Sequence, residues 1–281
     1  MKTAKAKEKV IAPERPAAAT EKPSPAVQIF DIMACNVYWD FEDSPMPKET
    51  HKFLVALYPT PGVVAPDMIE KIIAYGPGGY KVNFKNQVFT NDTLNGWFYD
   101  PKIHNYWYMV NLPTGFMKEG EYTIEITCKN GKVVKKSRIQ KNAPSDAMVS
   151  SYVKHRDKIY HSFSPSKTKP MPKGASLKNI KCSWSMLKDV DNFDAFYVYR
   201  LAEGASSKEF NGNKLVWFDN IYTQRLFNND QKAGQNRGEV IIGEQLKPKT
   251  NYAYFVEITD GNIAGEANIC IFQPHQIFTT P

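Results

Sequence analysis

From Gln28 onward the chain is written in short apolar runs, each cut off by Pro, Gly, Asn or Asp. Phe53-Leu54-Val55-Ala56-Leu57-Tyr58 stops at Pro59 and Pro61-Gly62, and Ile69–Tyr75 stops at Gly76-Pro77-Gly78-Gly79. Tyr80–Phe84, Trp97–Tyr99 and Tyr106–Val110 follow. The cleanest alternation is Gly120–Cys128, with Tyr122, Ile124, Ile126 and Cys128 on one side; it turns at Asn130-Gly131 and returns as Lys132–Ile139. Asn-Gly between two alternating runs predicts a two-residue mirror-type hairpin turn, with positive φ at both positions. Many short strands with no convincing helical stretch predict an all-β fold built of sandwiches.

The pattern breaks at residues 145–174. That stretch mixes basic residues with Pro165, Pro170 and Pro172 and lacks periodicity, so it reads as an interdomain linker with room for an edge strand near Lys158–Phe163. Strand-like runs resume in 175–281. Ile180, Cys182 and Trp184 share a face, Phe196–Leu201 is a strong strand, and Lys214–Phe227 is rich in aromatics. A loop over Gln231–Gly238 precedes Glu239–Ile242 and the long run ending at Ile258; Ala267–Phe272 and Ile277–Thr279 close the chain. Ahead of everything, residues 1–27 are dominated by Ala, Lys, Pro and Glu. Such a composition buries too little surface to offset chain entropy, so a disordered tail is expected, and it lacks the apolar stretch of a signal peptide. The expected organisation is therefore tail (1–27), sandwich (28–144), linker (145–174) and sandwich (175–281).

Three features of the second block, in order, are Trp184 in an early strand, the Tyr197-Val198-Tyr199 strand, and Leu246-x-Pro248-x-Thr250-x-Tyr252 leading into a strand; Phe278-Thr279-Thr280-Pro281 ends it. In this order they resemble a fibronectin type III domain. The resemblance implies core roles for Trp184, Tyr197 and Leu246, and a tyrosine corner in which the Tyr252 hydroxyl bonds back to the backbone. It departs in the long stretch from Ala202 to Gly238. The first block, through Gly120-Glu121-Tyr122-Thr123-Ile124 and its hairpin, resembles a generic immunoglobulin-like domain. It lacks the Cys…Trp…Cys spacing of antibody domains, so no inter-sheet disulfide is implied.

Net charge adds little. The formal +7 resides in the tail (+3) and in residues 145–178 (+5), leaving the two folded blocks near neutral. A nucleic-acid footprint would concentrate charge on the fold, so no nucleic-acid partner is expected. No apolar run approaches the roughly 20 residues of a membrane-spanning helix. Cys35, Cys128, Cys182 and Cys270 are too scattered for zinc, haem or iron–sulfur ligation; two disulfides are arithmetically possible, but single cysteines among apolar residues read as small buried hydrophobes. His51, His104, His155, His161 and His275 form no ligand set. Asp40-Phe41-Glu42-Asp43 and Asp189, Asp191 and Asp194 read as acidic loops, since neither matches calcium-loop spacing.

There is no HExxH, GxSxG or Walker A motif, and the Gly-rich turn at 76–79 opens no helix that could hold phosphate. No cofactor is implied. The basic hairpin Lys129, Lys132, Lys135, Lys136, Arg138 and Lys141 is explained equally by anion binding and by a solvated strand face. The candidate binding surface is Trp97, Tyr99, Tyr106, Trp107 and Tyr108, because exposed aromatics on a β-surface stack on sugars or anchor protein partners. Alternation would instead bury about half of them. The expected function is a non-enzymatic structural or interaction module serving a protein or glycan partner in a surface or extracytoplasmic assembly. The alternatives are a carbohydrate-binding accessory module and an enzyme whose site is assembled from loops.

Overall fold

The computed structural model describes residues 27–58, 62–90, 93–100, 105–190, 194–212, 214–219, 238–261 and 266–281. The tail expectation thus concerns residues outside those described, Val27 excepted. His104, Asp191, nearly all of the 231–238 loop and the 220–227 part of the aromatic stretch lie outside them too.

The first half comprises β1 (Ile29–Trp39), β2 (Glu49–Leu57), the single-turn helix α1 (Ala65–Met68), β3 (Ile69–Gly76), β4 (Tyr80–Phe84), β5 (Asn95–Asp100), β6 (Asn105–Leu112), β7 (Gly120–Cys128) and β8 (Val133–Gln140). Helix α2 (Ala143–Tyr160) follows. The second half comprises β9 (Ile180–Ser183), β10 (Phe196–Glu203), β11 (Leu215–Asp219), β12 (Glu239–Ile242), β13 (Asn251–Thr259), β14 (Ile269–Phe272) and β15 (Gln276–Thr279).

Each half is a sandwich. In the first, the layer β1-β2-β6-β5 faces the sheet β4-β3-β7-β8. Ile32, Phe53 and Val55 from one layer interdigitate with Ile72, Tyr122, Ile124 and Ile126 from the other. In the second, β11-β10-β13, with β15 beside β13, faces the pair β9-β12 across Trp184, Tyr199, Ile242 and Tyr254. The fold is all-β, as the alternating runs demand.

The two sandwiches share a sheet. β14 pairs antiparallel with β13 and parallel with β1, from Asn36↔Ile269 to Trp39↔Phe272. One nine-stranded sheet therefore runs β11-β10-β13-β14-β1-β2-β6-β5 through both halves, with β15 attached to β13. Its central strands are buried on both faces: every residue of β2 after Glu49, and of β13 after Asn251, is withdrawn from water. Continuous burial, rather than alternation, is what a strand covered on both sides requires.

The linker expectation is corrected. Residues 143–160 form an 18-residue helix, and Phe163 beyond it is buried in the second core with Met148, Tyr152 and Ile159. Instead of an edge strand at 158–163 there is only a single bridge, Ser164↔Ser183. The helix begins as helices do, with Asn142 at the cap position, Pro144 in the first turn and Asp146 near the positive end of the dipole. Its buried stripe includes Ser145 and Ser151, which makes the 3.6-residue period faint, and the prolines that suggested a linker all lie beyond it.

The hairpin turn is corrected too. Gly131 has φ of +78°, but Asn130 is not in the left-handed region. Gly131 N–H donates to Cys128 O (2.8 Å), and Cys128 N–H to Lys132 O (2.8 Å). This is a three-residue loop ending in a left-handed glycine, the next commonest hairpin closure.

In the second half, Trp184, Tyr197, Leu246 and Tyr252 are all buried in one cluster. The Tyr252 hydroxyl accepts a hydrogen bond from Lys247 N–H (2.9 Å). Tyr252→Phe removes that acceptor while keeping the ring. A loss of about 1 kcal/mol, read as a lower urea midpoint, is expected.

Candidate functional site

The register of β5 on β6 decides what the five candidate aromatics can do. Trp97 lies opposite Tyr108, Phe98 opposite Trp107, and Tyr99 opposite Tyr106. Side chains alternate faces along a strand. Trp97, Tyr99, Tyr106 and Tyr108 therefore look toward the first sandwich core, and Phe98 and Trp107 toward the opposite face of the shared sheet. Tyr108 is fully buried, and its hydroxyl donates to Asn86 Oδ1 (2.8 Å). Burial, with Tyr106 adding to it, pushes its phenol well above the ordinary value. Trp107 is buried and stacks on Phe98 at 6.3 Å between ring centroids. Neither offers a face to a ligand.

Tyr99, Tyr106 and Trp97 remain at the margin of the core. Tyr99 is 42% exposed, Tyr106 and Trp97 are half-buried, and the centroids lie 4.9 Å (Tyr99–Tyr106) and 5.8 Å (Trp97–Tyr106) apart. Their strand is held from its outer side. Phe89 N–H donates to Trp97 O (2.7 Å), and Trp97 N–H to Gln87 O (2.7 Å). Gly96 permits this approach, since a Cβ there would sit 2.4 Å from Gln87 O and 2.8 Å from Phe89 N. Gly96→Ala is expected to push the 87–89 segment away and cost about 1–3 kcal/mol, measured by thermal or urea unfolding.

Three of the six basic side chains of the hairpin are committed to structure. Lys135 pairs with Glu125 (2.7 Å), Lys136 reaches Phe30 O (2.6 Å) and Asp31 (3.6 Å), and Arg138 donates to Asn268 Oδ1 (3.1 Å). Asn268 belongs to the segment entering β14, so Arg138 ties the first half to the second. Asn268 Oδ1 also accepts from Lys141 N–H (2.9 Å), and its carbonyl accepts from Asn36 N–H (2.8 Å) and from Gln140 Nε2 (3.0 Å). Asp260 receives Asn268 N–H (2.7 Å) and Ile269 N–H (3.0 Å).

The shared sheet carries a buried ionic row across the same joint, which sequence reading missed. Glu257 on β13 binds Lys52 on β2 (3.3 Å) and Arg200 on β10 (2.5 Å), with the carboxylate almost wholly buried. Lys52 also lies over the Phe272 ring and Arg200 over that of Phe255. Burial alone would raise Glu257; the charges of Lys52 and Arg200 outweigh it and bring it to about 2. The sequence offered only a hint, the lone charge of Glu257 inside the apolar run of β13 and Lys52 at the foot of the apolar run Phe53–Leu57.

A second buried carboxylate fixes α2. Asp40, just after β1, is bound by Lys48 and by Arg156 Nε, and accepts the Tyr152 hydroxyl at 2.7 Å. Burial works against its charge, yet the hydrogen bonds from Arg156, Lys48 and Tyr152 hold its pKa below the ordinary value. Glu42 accepts the backbone N–H of His275 (3.0 Å), and Asp189 accepts from Lys154 and His155. The acidic loops thus bond to neighbouring side chains and backbone. Among the described residues no group of three His, Cys, Asp or Glu is arranged to hold a metal ion, and no helix is long and apolar enough to cross a membrane.

Comparison with known proteins yields no matching family model and no matching curated protein. Among solved structures, the fibronectin(III)-like modules of Clostridium thermocellum CbhA align over 88% of this chain and 94% of theirs, at 8% identity and TM-score 0.24. Tp47, the 47-kilodalton lipoprotein of Treponema pallidum, aligns over 93% of this chain and 53% of its own, at 9% identity and TM-score 0.31. Murine CEACAM1b aligns over 88% of this chain and 96% of its own, at 10% identity and TM-score 0.19. Similarity at this level assigns neither a family nor an activity.

Proposed function

We propose that this protein is a non-enzymatic interaction module, a rigid pair of sandwiches that presents a docking surface in a fixed orientation. The observation that carries the reading is the nine-stranded sheet running unbroken from one half to the other. Tandem domains on a flexible linker reorient freely; two sandwiches sharing a sheet, a buried ionic row and a clamped helix move as one body. The sandwiches at 28–144 and 175–281 are then parts of that body, the second completed by α2 and Phe163, which pack into its core. The docking surface is the margin formed by Trp97, Tyr99 and Tyr106, aromatic area backed by a fixed strand, which suits a protein partner. The fibronectin-like resemblance of 175–281 extends the proposal to a surface or extracytoplasmic assembly.

Crosslinking mass spectrometry on fractionated native cells tests this directly. Crosslinks from the 95–112 region to a larger assembly outside the cytoplasm, lost in a Tyr99→Ala/Tyr106→Ala variant that melts like wild type, are the expected result. A cytosolic protein without stable neighbours would overturn it. The same half-exposed aromatics favour a glycan as the second reading, which tryptophan fluorescence during a polysaccharide titration distinguishes; an unchanged spectrum with every polysaccharide tried removes it.

A further inference from the structure

Cys35 on β1 and Cys270 on β14 are both fully buried and both free, and their sulfurs lie 3.4 Å apart with one thiol hydrogen-bonded to the other. They come from opposite halves, 235 residues apart in sequence, and meet where the two sandwiches share strands. In the parallel register Val37 stands opposite Cys270, so the thiols are diagonal neighbours whose side chains lean together.

We infer that Cys35 and Cys270 form a disulfide that locks the two halves together under oxidising conditions. A disulfide needs its sulfurs about 2.0 Å apart and its Cα atoms within roughly 7 Å; diagonal neighbours stand about 7–8 Å apart, so closure takes a small shift of β1 against β14 as well as rotation of the two side chains. The joint they span is brief, with only four registered pairs between β1 and β14, so a covalent bond there adds a reducible closure to a small ladder. Formation proceeds by exchange. One cysteine, as thiolate, attacks a low-molecular-weight disulfide such as oxidised glutathione and releases one glutathione thiolate. The second cysteine then attacks the mixed disulfide, the S–S bond forms, and the second glutathione leaves. Two protons and two electrons pass from the cysteines to oxidised glutathione, which leaves as two molecules of the thiol. Burial disfavours the Cys35 thiolate while Lys52 beside it favours that form, so the exchange awaits a local opening of the β1–β14 pair. The bond would close a loop spanning nearly the whole described chain, and the stabilising effect of a disulfide grows with the loop it closes.

The test is to incubate the full chain with graded ratios of oxidised to reduced glutathione in mild urea, trap free thiols by alkylation in denaturant, and map the peptides. The expected result is a Cys35–Cys270 linked peptide pair, a monomer lighter by two hydrogens, alkylation confined to Cys128 and Cys182, and a raised thermal midpoint that returns on reduction. Cys35→Ala should abolish the linked pair and the shift, and Cys128→Ala should leave both. Full alkylation of Cys35 and Cys270 at every ratio would overturn the inference. So would glutathione retained on either one, or crosslinked dimers in place of the internal bond.

Discussion

Glu257→Ala should destabilise the protein by about 3–5 kcal/mol, because it leaves two cations in a buried site without their shared anion. Lys52 is almost wholly buried and Arg200 only about a quarter exposed at the side chain, so neither simply swings into water. The measurement is urea unfolding followed by tryptophan fluorescence. Glu257→Gln, which keeps volume and some hydrogen bonding, should fall between wild type and the alanine variant. A triple replacement of Lys52 by Met, Glu257 by Leu and Arg200 by Leu should recover most of the loss, since a packed apolar set is often as stable as a buried ionic one. If Glu257→Ala cost less than about 1 kcal/mol, within the range of exposed pairs, the row would be surface-like and the joint looser than described.

The same group sets a pH limit. Glu257 and Asp40 both titrate lower in the folded protein than their ordinary values of 4.5 and 3.8. Their contribution is therefore complete above those ordinary values and drains away as pH falls through the folded ones. The part of the unfolding free energy that these two carboxylates supply should hold from neutrality to about pH 5 and then fall toward pH 2. In Glu257→Gln that fall should be shallower.

Asp40→Ala is the second large effect, with an expected cost of about 2–4 kcal/mol. It removes the acceptor for Tyr152 and the anchor for Lys48 and Arg156 at once. The Tyr152 hydroxyl is buried and cannot turn to solvent, whereas Arg156 and Lys48 are 41% and 58% exposed at the side chain and can. Arg156→Ala and Lys48→Ala should consequently cost well under half as much each. Hydrogen exchange gives a local readout: amides of 143–160 should lose protection in Asp40→Ala more than those of β7. Equal loss everywhere would mean that Asp40 supports the whole fold rather than the seat of the helix.

Much of the architecture was legible because strands solvated on one face advertise themselves by alternation, as β7 does. The Leu246-x-Pro248-x-Thr250-x-Tyr252 run likewise marked a corner whose hydroxyl geometry is local. What stayed hidden was non-local or faint. Helix α2 buries serines along with Met148 and Tyr152, and a stripe that is part polar leaves little period to read. Lys52 and Glu257 each look like a solvated charge until β2 and β13 are known to be covered on both sides. The shared sheet depends on Ile269–Phe272 finding Asn36–Trp39, a pairing across most of the chain that no local pattern encodes. Among the aromatics, alternation alone could not say that Trp107 and Tyr108 would both be inside, because it assumes one wet face and the shared sheet has little of it.

That long-range pairing also orders events in time. Along Asn36–Trp39, β1 has its ladder partner on one side only in β14, which begins at Ile269. A ribosome delivers β1 well over two hundred residues before β14, so the nascent chain carries an unpaired, apolar strand edge throughout that interval. Contacts this distant in sequence also form slowly, since the loop entropy must be met before the pairing returns anything. The joint that makes the finished protein one body is thus the step at which an unfinished one is most exposed to wrong partners.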